Sequence, residues 1–268
     1  MTSLSIKLKA QQYVVLTGMA LFIGLLVGTI DMIFGQGLLL IGDFRSQHWP
    51  LILFLAIAGL VIVYLYKRFG GKASKGMGLI FDVGHAREEK IPLVLVPLIM
   101  LTTWMSHLFG GSVGREGVAV QIGATLSHRF ARHIKIPDAS RIFLMTGMAA
   151  GFAGLFQTPL AATFFALEVL TVGELQLIAL YPALIASIVA SFTSHALGLE
   201  KFAVPLKETL SWTPETLIKV ALLGLAFGLA GKLFAVSLSW LKKTVAQVLL
   251  NPYIRIAVIG AGLSLVLL

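Results

Sequence analysis

Residues 91–130 read IPLVLVPLIMLTTWMSHLFGGSVGREGVAVQIGATLSHRF, and this stretch decides the fold class. Ile91 to Phe109 is a long apolar run. Gly110-Gly111-Ser112-Val113-Gly114-Arg115-Glu116-Gly117 follows, dense in glycine and carrying charge. The next apolar run, Val118 to Phe130, is too short to cross a bilayer core, which takes about 20 helical residues. Non-helical backbone cannot face lipid, because its polar groups would lack partners. It persists only where protein or a water-filled cavity surrounds it, and broken helices near the midplane are how many transporters build ion sites.

The composition of the chain agrees. Of 268 residues 57% are apolar and 12% are charged, about half the charge of an average soluble domain. Disorder, a coiled coil and an ordinary soluble enzyme are excluded. The reading is an all-α polytopic membrane protein, a single transmembrane domain over 1–268 with no soluble domain. The net charge of +9 reflects the positive-inside bias and anionic headgroups, not nucleic acid. The absence of cysteine excludes disulfides and thiolate metal sites. No carboxylate–histidine spacing suggests a metal, no cofactor is implied, and Ser112 lacks a matched base for hydrolysis. An enzyme is not expected.

Working outward, Lys7 and Lys9 precede a span from Tyr13 to Phe34, with Gly24 and Gly28 as a packing face. A loop with Asp43, Arg45 and His48 leads to a second span, Pro50 to Tyr66. Lys67, Arg68, Lys72 and Lys75 then put this loop and the N-terminus in the cytoplasm, in a bacterial plasma membrane. Gly76-Met77-Gly78 opens a short apolar stretch that ends in the charged segment Asp82–Lys90. Arg129, Arg132, Lys135 and Arg141 form a basic connection, with His128 and His133 inside it. Two short runs, Ile142–Phe156 and Pro159–Val172, are separated by Gln157-Thr158-Pro159. A span from Leu175 to Leu197, a polar loop from Ala203 to Pro214 and a span from Thr216 to Trp240 with Gly224 and Gly228 complete the pattern. Lys242 and Lys243 close that last span. Tyr253 to Leu268 stops inside an apolar run, so a cut or split reading frame is expected.

Glu116 is the candidate functional residue. A short helix begins beside it, and at a helix start free N–H groups and the positive dipole end gather an anion. Gly114 and Gly117 let backbone approach a small ion. An ionised Glu116 occupies that site itself; protonated, it swings away and admits a free anion, which couples protons to anion passage. The alternative is a structural Arg115–Glu116 ion pair. His107 reads as a packed, hydrogen-bonded residue and His48 as a solvated one. Asp31 reaches either headgroups or a helix partner.

Residues 111–124 resemble the gating-glutamate motif of the CLC chloride channels and proton antiporters, with Val118 where that family has proline. Residues 147–161 resemble its small-residue block with the (N/Q)-x-P-L-A ending, and Gly76-Met77-Gly78-Leu79-Ile80 falls where it has G-S-G-I-P. Met77 in place of serine, with a non-proline at 118, resembles the fluoride–proton antiporter branch. The resemblance implies halide transport, most of all proton-coupled fluoride export, with a chloride channel or chloride/proton antiporter, or a truncated non-transporting fragment, as alternatives. It implies Glu116 as the gate. Gly114, Arg115, Gly117 and Val118 would shape an outer anion site, and Gly76, Met77 and Gly78 a central one. The family's inner acidic position falls on Val169, and Glu168 reads as structural. A homodimer in the lipid bilayer, one pore per subunit, is implied. Family members have two inverted halves, and this chain covers the first and the opening helices of the second.

Overall fold

The computed structural model describes residues 3–171, 173–200 and 211–267. Among them there are ten α-helices and no strand. Five helical stretches are long and apolar enough to cross a membrane.

Helix α1 runs from Ser3 to Gln47, about 67 Å at 1.5 Å per residue. The sequence reading ended it at Phe34 and placed Asp43 and Arg45 in a loop. Gly35 and Gly37 look like breakers, but here they are contact points. The side chains of Leu199 and Leu155 press on Gly35, and the Trp104 indole presses on Gly37. Trp104 Nε1 donates to the Phe34 carbonyl at 3.1 Å. Tertiary contact therefore carries the helix through both glycines.

A 3-10 segment, Trp49–Phe54, leads into α2, Leu55–Leu65. The expected basic loop is itself wound, as a π-helical turn over Tyr66–Gly70 and a 3-10 turn over Gly71–Lys75. Helix α3, Met77–Gly84, is short. Then come α4 (Leu95–Leu108), α5 (Glu116–Ala131), α6 (Ala139–Phe156) and α7 (Pro159–Glu168). The break between α6 and α7 falls where the sequence put it. Gln157 takes a left-handed conformation at φ +54°, and Pro159 opens α7. The basic connection is shorter than expected, because Arg129 lies on α5 and Arg141 on α6.

Helix α8 (Leu180–Ala196) lies parallel to α1. Thr17 bonds Tyr181 at one end, and Gln36 donates to the Gly198 carbonyl at the other. Between them Gly24 and Gly28 meet Val189 and Ala190, so this pair is a packing face as read. Helices α5 and α6 cross at backbone contact: Gly123 faces the Gly147 carbonyl, and Gly151 faces that of Ala119. Ser127 Oγ donates to the Phe143 carbonyl across the same crossing. Helix α9, Pro214–Val248, has no buried residue, and among the described residues nothing lies against Gly224 or Gly228. Helix α10, Pro252–Val266, packs on the start of α2, with Gly260 against Ala56 and Ser264 Oγ donating to the Ile52 carbonyl at 2.6 Å. The expected polar loop at 203–214 lies largely outside the described residues.

Candidate functional site

Glu116 is the first residue of α5, and Arg115 precedes it without a side-chain cap. The amide of Ala119 donates to the Arg115 carbonyl at 3.1 Å and closes the first turn. The amides of Glu116, Gly117 and Val118 therefore have no partner within the helix. Val118 is buried in the main apolar core, which anchors the helix start. The Glu116 side chain is exposed and folds back toward Gly114: a methyl on Gly114 would stand 3.1 Å from Glu116 Oε2. The missing side chain at 114 is what gives this carboxyl its room.

The second cluster begins at Gly76, whose φ of +55° suits glycine alone among unstrained residues. It starts α3. Met77 is half-buried against the core, and Gly78 is exposed with open space beside it. The two clusters meet at Gln121. Gln121 Nε2 donates to the Gly117 carbonyl at 2.9 Å, and its Oε1 lies 3.5 Å from where a methyl on Gly76 would be. Gln121 is 6% exposed, and Oε1 has no protein partner. Sequence reasoning gave this residue no role. The available signal was that Gln121 is the lone polar side chain between Val118 and Ala124.

Arg115 does not pair with Glu116 among the described residues; its guanidinium stands 5.9 Å over the Phe156 ring. The structural ion pair is thus replaced by a cation–π contact. His107 is tied by Nδ1 to the Thr103 carbonyl at 2.9 Å, and His48 by Nδ1 to that of Phe44 at 2.8 Å. Glu168 ends α7, exposed and without a polar partner among the described residues. Asp31 is 0% exposed, lies against Gly154 of α6, and neither carboxyl oxygen has a partner. Of its two expected surroundings, the helix partner is the one found. Headgroups are excluded by the burial.

The polar residues separate by end. Arg45 lies beside Gly110, so the end of α1 and residues 110–117 share one end of the bundle. Gln11 and Gln12 line a cleft with residues 133–136, and Lys72 and Lys90 one with Arg129 and Arg132. The cations lining these two clefts thus lie at the end opposite Glu116. There Lys72 pairs with Glu88 at 2.6 Å, and Lys75 with Asp82 at 3.0 Å and Glu88 at 3.3 Å. Lys72 above all, and then Lys75, hold the Glu88 carboxyl below its ordinary range.

Half-length helices broken by glycine, beside five helical stretches long and apolar enough to cross a membrane, define an integral membrane protein of the all-α class. The profile of the voltage gated chloride channel family matches residues 58–268, and the chain belongs to that family, the CLC family. It is 34% identical over 236 residues to a chloride/fluoride channel protein of Pseudomonas syringae pv. tomato, covering 86% of this chain and 52% of that one. The crystal structure of a CLC-type fluoride/proton antiporter is similar at a TM-score of 0.90 and 44% identity, covering 99% of this chain and 66% of that chain. A slow cyanobacterial Cl-/H+ antiporter shares the fold, with a TM-score of 0.76 at 21% identity over 93% of this chain and 63% of that one. The chain spans about half the length of the curated relative it matches.

Proposed function

We propose that the chain belongs to a transporter that exports fluoride in exchange for protons. Glu116 is its gate. Ionised, its carboxylate fills the space over the α5 amides; protonated, it leaves and an anion enters. Gly114, Arg115, Gly117 and Val118 shape the outer position. Gly76, Met77 and Gly78 shape the central one, with Gln121 between them. Met77 offers no hydroxyl donor where a chloride-type site would have one, so chloride is held less well there through side-chain hydrogen bonds. The observation that carries the reading is the meeting of the two glycine clusters at Gln121, with the Glu116 carboxyl folded back over Gly114. The likeness to a fluoride/proton antiporter supports the same substrate. The cation-rich end faces the cytoplasm by the positive-inside rule, and the protein works as a homodimer in a bacterial inner membrane.

Ion efflux from liposomes tests this. Fluoride leaves faster than chloride and carries protons inward, and Glu116→Gln abolishes the proton flux. Faster chloride efflux refutes the fluoride assignment, and unchanged proton coupling in Glu116→Gln removes the gate.

A further inference from the structure

At the end of the bundle opposite Glu116 lies a cavity of about 720 Å³ that the transport site does not use. Its polar wall holds Lys90, Arg129 and Arg132 against the carboxylate of Glu89, with Lys72 beside them paired to Glu88 at 2.6 Å. These side chains come from three separate places: the 3-10 turn before α3, the connection into α4, and the C-terminal end of α5 with the residue that follows it. Its remaining wall is apolar, supplied by Ile91, Leu93 and Ala131 among others. One side is fixed by His128, which is buried and bonded through Nε2 to Ser140 Oγ at 2.9 Å. Arg129 and Arg132 also offset the negative dipole end of α5, which would otherwise repel an anion.

Cations converging on one side and hydrocarbon on the other is the chemistry of an amphiphile with an anionic head. Basic pockets between membrane helices on the cytoplasmic side suit such heads, since anionic lipids are abundant there. The volume lies within the usual range for a ligand site. We propose that this cavity binds the phosphate headgroup of an anionic phospholipid, with the glycerol and first methylenes against Ile91 and Leu93. The bound lipid ties the connection before α4 to the end of α5.

Native mass spectrometry of the purified protein, released from micelles containing phosphatidylglycerol or phosphatidylcholine, tests this. Each cation at an anionic lipid surface contributes about a fivefold factor in binding. Lys90→Gln/Arg132→Gln together therefore lower phosphatidylglycerol retention roughly thirtyfold. Lys242→Gln/Lys243→Gln on α9 removes the same charge elsewhere and leaves retention unchanged. Phosphatidylcholine is not retained. Equal retention by the cavity variant and the wild type overturns the proposal, as does equal retention of the two lipids. Inorganic phosphate displacing the lipid at millimolar concentration shows a free-anion site instead, and also overturns it.

Discussion

Gly123→Ala is the substitution that most directly tests how α5 is held. A methyl at 123 would fall onto the Gly147 carbonyl oxygen and stand 2.8 Å from the Gly151 amide nitrogen. Both are backbone atoms, so neither can rotate aside as a side chain would. The helices must part, and overpacking of this kind costs about 1–3 kcal/mol. Parting them also strains the Ser127–Phe143 bond across the crossing, worth about 1 kcal/mol. Alanine's better helix propensity returns about 1 kcal/mol. The net is a loss of roughly 1–3 kcal/mol, or a fall in Tm of about 2–12 °C for a chain of this size. Thermal unfolding in detergent, followed by tryptophan fluorescence, reads it. Gly18→Ala is the control: Gly18 is exposed with nothing within 4 Å, and its Tm should hold or rise. A Gly123→Ala protein that melts at or above the wild type refutes close backbone packing as the device that sets the angle of α5, and with it the position of Glu116.

Further outcomes are expected. Asp31→Asn keeps the shape of a buried side chain whose oxygens meet no donor or cation among the described residues, so its unfolding free energy should stay within about 1 kcal/mol of the wild type. A loss above about 2 kcal/mol would reveal a charge-dependent partner. Met77→Ser restores a hydroxyl donor beside Gly76 and should raise chloride flux relative to fluoride in the efflux assay; an unchanged ratio counts against Met77 as a selectivity residue. The Glu88 carboxyl titrates lower in the folded protein than in the unfolded chain. Its pairing therefore stabilises above the unfolded value and is lost as pH falls through the folded one. Wild-type Tm should drop more steeply than that of Glu88→Gln below about pH 4.5, by a small amount because the pair is exposed. Parallel curves would show the Lys72–Glu88–Lys75 cluster to be inert.

The local structure of the candidate site was legible along the chain because it depends on neighbours in sequence. Glu116, its flanking glycines and the helix that starts there lie within a few residues, and helix-end chemistry depends on nothing more distant. The break at Gln157-Thr158-Pro159 was legible for the same reason, since proline at a first helical turn is a backbone preference. Gln121 was not legible as a site residue. Its role comes from an approach to Gly76, 45 positions away, and nothing in the spacing of either motif encodes that distance. The course of α1 beyond Phe34 was not legible, because what lies against Gly35 and Gly37 is Leu199 and Trp104, both distant in sequence. Asp31 was left open between headgroups and a partner helix, and only packing against Gly154 decides it.

The sequence by itself determined the solvent and the architecture. An apolar content of 57% places the chain in lipid, and half-length runs broken by glycine force re-entrant helices, because unpaired backbone cannot face hydrocarbon. Tertiary structure decided which residues meet. In a bilayer, helix pairing is driven by close shape complementarity, not by the removal of apolar surface from water. The same glycine pattern therefore packs at Gly24 and Gly28 and stands open at Gly224 and Gly228. What separates the two pairs among the described residues is the presence of a facing helix.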